Sequence, residues 1–126
     1  MKQMLFVLFS SACLVSSPAF AGAGHDHGPK YGGWVREVGN VVYELVVKAD
    51  TLTVHVSDHG KPVATEGAKA TVTFYAGNEK TVIPLQPVGD NRMSGKGSFK
   101  VGVGVRAALA ITLAGKSEAR TTFNLK

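Results

Sequence analysis

Four histidines carry most of the chemistry this sequence can offer, and two of them, His25 and His27, flank Asp26 in a glycine-rich stretch. Neutral imidazole is a good ligand for Cu(II), Zn(II) and Ni(II). An extended chain turns positions i and i+2 to the same side, so His25 and His27 can grip one ion, with an oxygen from Asp26. The same tripeptide also suits a plain solvated spacer. His59 follows Asp58 in the turn Asp58-His59-Gly60-Lys61-Pro62. There it reads either as a turn residue tolerating positive φ or as a ligand acting with the histidine arm, Asp58 or Met93. His55 falls on the polar face of an alternating segment and joins a site only if the arm covers that face.

Other chemistries lack their residues. Ser, His and Asp are present, but no nucleophile-elbow motif frames them. Glu44 and Glu66 are single carboxylates with nothing to mark a pair. Gly102-Val103-Gly104 has no following helix to cradle a phosphate. Met93 is the one methionine beyond residue 4, and a lone thioether does not make a Cu(I) site. Binding, not catalysis, is the expectation.

Ahead of the histidines, Lys2 precedes an apolar run over residues 4–15 that closes with Ser-Ser-Pro-Ala-Phe-Ala. A basic start, a short apolar middle and small residues at Ala19 and Ala21 form the pattern of a secretory leader. The run is too short, and too broken by Ser10 and Ser11, to span a bilayer. Cleavage after Ala21 is expected, with a second small-x-small site ending at Ala23. No membrane span then remains, and the location is periplasmic or secreted. The one cysteine, Cys13, leaves with the leader. Core packing and backbone pairing must hold the domain without a disulfide.

Losing Lys2 leaves thirteen Lys and Arg against nine Asp and Glu. These cations are scattered, without the stripe or motif that nucleic acid requires. The excess suits an anionic neighbour such as a membrane face.

The elements that would position these residues read as strands. Residues 22–33 hold five glycines, a proline and both arm histidines, and form a flexible arm. From Trp34 onward, Val, Thr, Tyr and Phe recur in short runs between turn residues. Strands are expected at Trp34–Val38, Val41–Lys48, 51–57, 68–75, 80–85, 97–106, 107–114 and Ala119–Leu125. The 51–57 run alternates Leu52, Val54 and Val56 against Thr53, His55 and Ser57, so one face is buried. Pro84 marks 80–85 as an edge. Phe99, Val101, Val103 and Val105 alternate through 97–106. Trp34, Tyr43, Phe74, Tyr75, Phe99 and Phe123 are expected in the core. Seven or eight short strands imply an all-β domain over residues 34–126, a single antiparallel immunoglobulin-like β-sandwich.

Four motifs also carry a resemblance. Tyr31-Gly32-Gly33-Trp34-Val35 leads into Val41-Val42-Tyr43-Glu44-Leu45-Val46. Gly60-Lys61-Pro62-Val63 then leads into Gly67-Ala68-Lys69-Ala70-Thr71-Val72. Together these resemble a group of small exported bacterial proteins and the extra N-terminal module of heavy-metal efflux adaptors, the periplasmic subunits of resistance-nodulation-division pumps. The resemblance implies a periplasmic β-sandwich concerned with metal handling or delivery, with His25, His27 and His59 as the positions able to bind. It implies an efflux adaptor or another envelope protein as partner. Tyr31 departs from the pattern, standing where a histidine often precedes the Gly-Gly pair. The alternative expectation is a metal-independent interaction module of the envelope.

Overall fold

The structure is a computed structural model that describes residues 28–125. The leader at 1–21 and the arm residues His25, Asp26 and His27 lie outside the described residues. Among the described residues nine strands form: β1 (Trp34–Val38), β2 (Val41–Lys48), β3 (Thr51–Asp58), β4 (Lys61–Pro62), β5 (Lys69–Ala76), β6 (Glu79–Pro87), β7 (Arg92–Lys96), β8 (Val105–Thr112) and β9 (Ala119–Leu125). Every pairing is antiparallel, in the order β1-β2-β3-β7-β6-β5-β8-β9, with β4 attached to β3. The all-β antiparallel class predicted from alternation is therefore present. Within it, β5, β6 and β7 are consecutive neighbours and β8 returns beside β5, a Greek-key order.

The ladder curls nearly into a barrel and does not divide clearly into two stacked sheets. Two features produce the curl. First, β6 pairs with β5 through residues 79–85 and then passes to β7 through Gln86 and Pro87. Pro84, which has no N–H to give, sits where the strand changes partner. Gly95 of β7 allows the crossing, because a Cβ there would lie 2.4 Å from the Pro84 carbonyl oxygen. Second, the first and last strands meet: Arg36 Nε of β1 donates to the Thr122 carbonyl of β9 at 2.9 Å.

Alternation decides what fills the interior. Leu52, Val54 and Val56 of β3 face inward with Tyr43 and Leu45 of β2, Val72 and Phe74 of β5, Leu109 and Ile111 of β8, and Phe123 of β9. Met93 is fully buried on β7, so the lone thioether is core. Trp34 and Phe99 are half-buried against the core, while Tyr75 faces outward beneath the Arg106 guanidinium, 5.4 Å from its ring centre.

One expected strand fails. Residues 97–104 form a loop, and strand structure resumes only at Val105. Only Phe99 of their apolar alternation reaches the core; Val103 is 91 % exposed and Val101 46 %. Gly102 and Gly104 take φ of 154° and 88°, the second firmly in the region that interrupts a strand. The ladder position instead goes to β7, whose Arg-Met-Ser-Gly-Lys sequence has little strand character. No helix among the described residues is long and apolar enough to cross a membrane.

Candidate functional site

The register across β1, β2, β3 and β7 builds one outward-facing row: Val35, Glu44, His55 and Arg92. Inward neighbours Leu45, Val54 and Met93 lock this register, since a one-residue slip would turn each of them into water. A carboxylate on an outer face should be solvated, yet Glu44 is buried. The cause is the chain just before β1, which crosses over it. Lys30 N–H donates to Glu44 Oε1 at 2.8 Å, and Tyr31 and Gly33 N–H donate to Oε2 at 2.8 and 2.9 Å. Three backbone donors converging on one carboxylate are charge-assisted bonds, stronger than neutral ones.

Gly32 and Gly33 make this crossing sterically open. Gly32 has φ of 80°. A Cβ on Gly33 would sit 2.1 Å from the Leu45 carbonyl oxygen, a backbone atom that cannot swing aside. The chain therefore passes close enough to set the Tyr31 ring flat on His55, with centroids 3.8 Å apart and planes inclined by 12°. The segment at 30–33 thus covers the polar face of β3, which was the condition for His55 to take part in a site.

Among the described residues, His55 Nδ1 is fully buried and finds no hydrogen-bond partner. A neutral ring carrying its proton on Nε2 leaves only a lone pair unsatisfied there, which is the form a metal ion takes. Burial pushes the His55 pKa below its ordinary value and Arg92 lowers it further, while Glu44 pulls the other way. The folded chain thus resists a proton that the unfolded chain accepts. The stability gained is complete above the unfolded histidine pKa, about 6.5, and is lost as pH falls below it. Urea unfolding should show a larger loss between about pH 7 and pH 5.5 for the parent chain than for His55→Phe, which keeps the stacking but cannot titrate. Equal losses in the two chains would remove His55 as the cause.

His59 lies elsewhere. It occupies the β3–β4 turn with φ of 53°, is exposed, and turns Nδ1 to the Asp58 carboxylate. That contact leaves Nε2 free, as in carboxylate–histidine–metal arrangements. Three residues separate it from His55, four steps of chain or roughly 13 Å. Among the described residues no three His, Cys, Asp or Glu side chains gather into a group able to hold a metal. The partners that sequence reasoning missed are Glu44 and the Tyr31–His55 stack. One signal for Glu44 is present: a lone carboxylate inside Val-Val-Tyr-Glu-Leu-Val-Val, an otherwise apolar strand. Comparison with protein families, with curated proteins and with solved structures returns no match for this chain.

Proposed function

We propose that this is an exported metal-binding or metal-delivery module of the cell envelope, a binding protein and not an enzyme. His25 and His27 would capture a divalent Cu, Zn or Ni ion, Asp26 would add an oxygen, and a domain histidine would complete the set. The observation that supports this most is the bare, buried Nδ1 of His55 beneath the segment that leads back to His27. Lys30 is fixed on Glu44, the cross-strand neighbour of His55, and three residues of chain span about 10 Å, so this reading pairs His27 with the His55 ring. His55 is therefore preferred to His59 as the ligand from the barrel. A periplasmic efflux adaptor is the partner class proposed for delivery, and an immunoglobulin-like sandwich is the finer description of the fold. The Greek-key order and the two-residue β6–β7 pairing support that description.

Isothermal titration of the chain from Gly22 onward with Cu(II), Zn(II) and Ni(II) tests the reading. The expected result is affinity at least about tenfold above that of the His25→Ala/His27→Ala chain, about 1.4 kcal/mol. His55→Phe should weaken binding and His59→Ala should leave it unchanged. Affinity no better than that of a generic peptide for all three ions would end the proposal.

A second reading has its own observation. Among the described residues, 80–85 of β6 are paired to β5 only, leaving one edge without a ladder partner, and Val82 is 54 % exposed there. Such an edge can accept a strand from another protein. Capture of an envelope partner that survives a chelator and is lost with Val82→Lys would favour this interaction module.

A further inference from the structure

We propose that the end of the barrel carrying the 97–104 loop docks on an anionic lipid surface. The register defines that end. Lys96 closes β7 opposite Thr51, Ala76 closes β5 opposite Val105, and Val105 opens β8 opposite Leu125. The 48–50 turn, the 76–80 turn and the 96–106 segment therefore share one rim. Among the described residues of these segments, the cations are Lys48, Lys80, Lys96, Lys100 and Arg106, all exposed. Only Asp50 and Glu79 oppose them, and Glu79 already pairs with Lys100 at 3.3 Å. The turns at the other end are different: Asp58, Glu66, Asp90 and Glu118 balance Lys61, Lys69, Arg92 and Lys116 one for one. Positive charge that is scattered in the sequence is thus gathered by the fold on one rim.

The exposed apolar residues of that rim lie on its 97–104 loop. Val103 is 91 % exposed and Val101 46 %. The tip that presents them is tied to the barrel. Gly102 N–H donates to the Leu125 carbonyl and Val105 N–H to the Gly102 carbonyl, each at 3.1 Å. Behind it, Phe99 stacks on the buried Phe74, with centroids 4.6 Å apart. Two branched apolar side chains on a tethered tip, with lysines on the same rim, match the two layers of an anionic leaflet, acyl chains beneath charged headgroups. Val103 enters the boundary region while Lys80, Lys96 and Arg106 meet phosphate. The metal-binding reading plays no part in this inference.

Vesicle co-sedimentation of the chain from Gly22 onward, which contains every described residue, is the test. The expected result is binding to phosphatidylcholine vesicles holding roughly one-third phosphatidylglycerol, little binding to phosphatidylcholine alone, and weakening by salt. Val103→Asp and the pair Lys80→Glu/Lys96→Glu should each reduce partitioning about tenfold or more. Lys116→Glu, at the opposite end, should leave it unchanged. All four residues are exposed, so the variants keep the core, and circular dichroism verifies that each is folded. Absence of vesicle binding, or equal binding by parent and Val103→Asp, overturns the proposal. So does a dimer in sedimentation velocity that Val103→Asp dissolves without any effect on vesicles, since the tip would then meet a second copy of the chain.

Discussion

Replacing Glu44 by alanine should release residues 30–33 from the barrel and cost about 3 kcal/mol. Three backbone N–H groups converge on this carboxylate at 2.8–2.9 Å, and each charge-assisted bond is worth roughly 1.5–3 kcal/mol net. The sum is not recovered in full. Fixing those residues costs about 1–2 kcal/mol each, and the freed N–H groups regain water. What survives is the difference, and with it goes the cover over His55. For a domain of this size the unfolding midpoint should fall by something over 10 °C. Trypsin gives a sharper readout, because Lys30 is exposed but its backbone is pinned. Cleavage after Lys30 should accelerate strongly in Glu44→Ala and moderately in Glu44→Gln, which keeps one acceptor oxygen. An unchanged cleavage rate together with an unchanged midpoint would show that the carboxylate does not hold the segment.

Gly95→Ala should be comparably damaging, for a steric reason. The added Cβ would meet the Pro84 carbonyl oxygen at 2.4 Å, Leu85 Cδ2 at 2.9 Å and Ile83 Cγ2 at 3.0 Å. Gly95 does not have positive φ, so the obstacle is space and not conformation. A carbonyl in a neighbouring strand moves only if β6 and β7 part, and these two strands share just two paired positions. Overpacking of this kind costs typically 1–3 kcal/mol, and the upper end is expected here. Gly97→Ala is the contrast. Its closest atom is the tip of the Ile83 side chain at 2.9 Å, which can rotate away, so the loss should be a fraction as large. Thermal unfolding of the two variants side by side decides the matter. A Gly95→Ala midpoint at or above that of Gly97→Ala would place the tight point elsewhere.

The strands at β3, β5 and β9 are legible in the sequence because each alternates between core and solvent over seven or eight residues, and β2 because its run is apolar on both faces. The same signal misleads at 97–106, where apolar residues alternate on a segment with no neighbouring strand to receive them. It is silent at β7, where only Met93 reports burial and Ser94 and Gly95 satisfy contacts that no pattern encodes. Ser94 donates to the Leu52 carbonyl at 3.1 Å, and Gly95 makes room for Pro84. At the site, the histidines announce themselves by type. The carboxylate that organises the surrounding backbone does not, since its partners are main-chain groups identical in every residue. Tyr31, which appeared only as a departure from a histidine-bearing pattern, is the residue that lies on His55.

The contact between Arg36 and Thr122 has a topological consequence. Strand β1 starts, and strand β9 finishes, on the same rim and side by side. The strand ends at Trp34 and Leu125 therefore lie close, as in domains that tolerate transplantation into the loop of a host protein, with residues 30–33 packed across the neighbouring strands. A unit of this kind travels as a cassette: it can hang from either terminus, or interrupt a larger chain, while its own hydrogen-bonded shell stays intact.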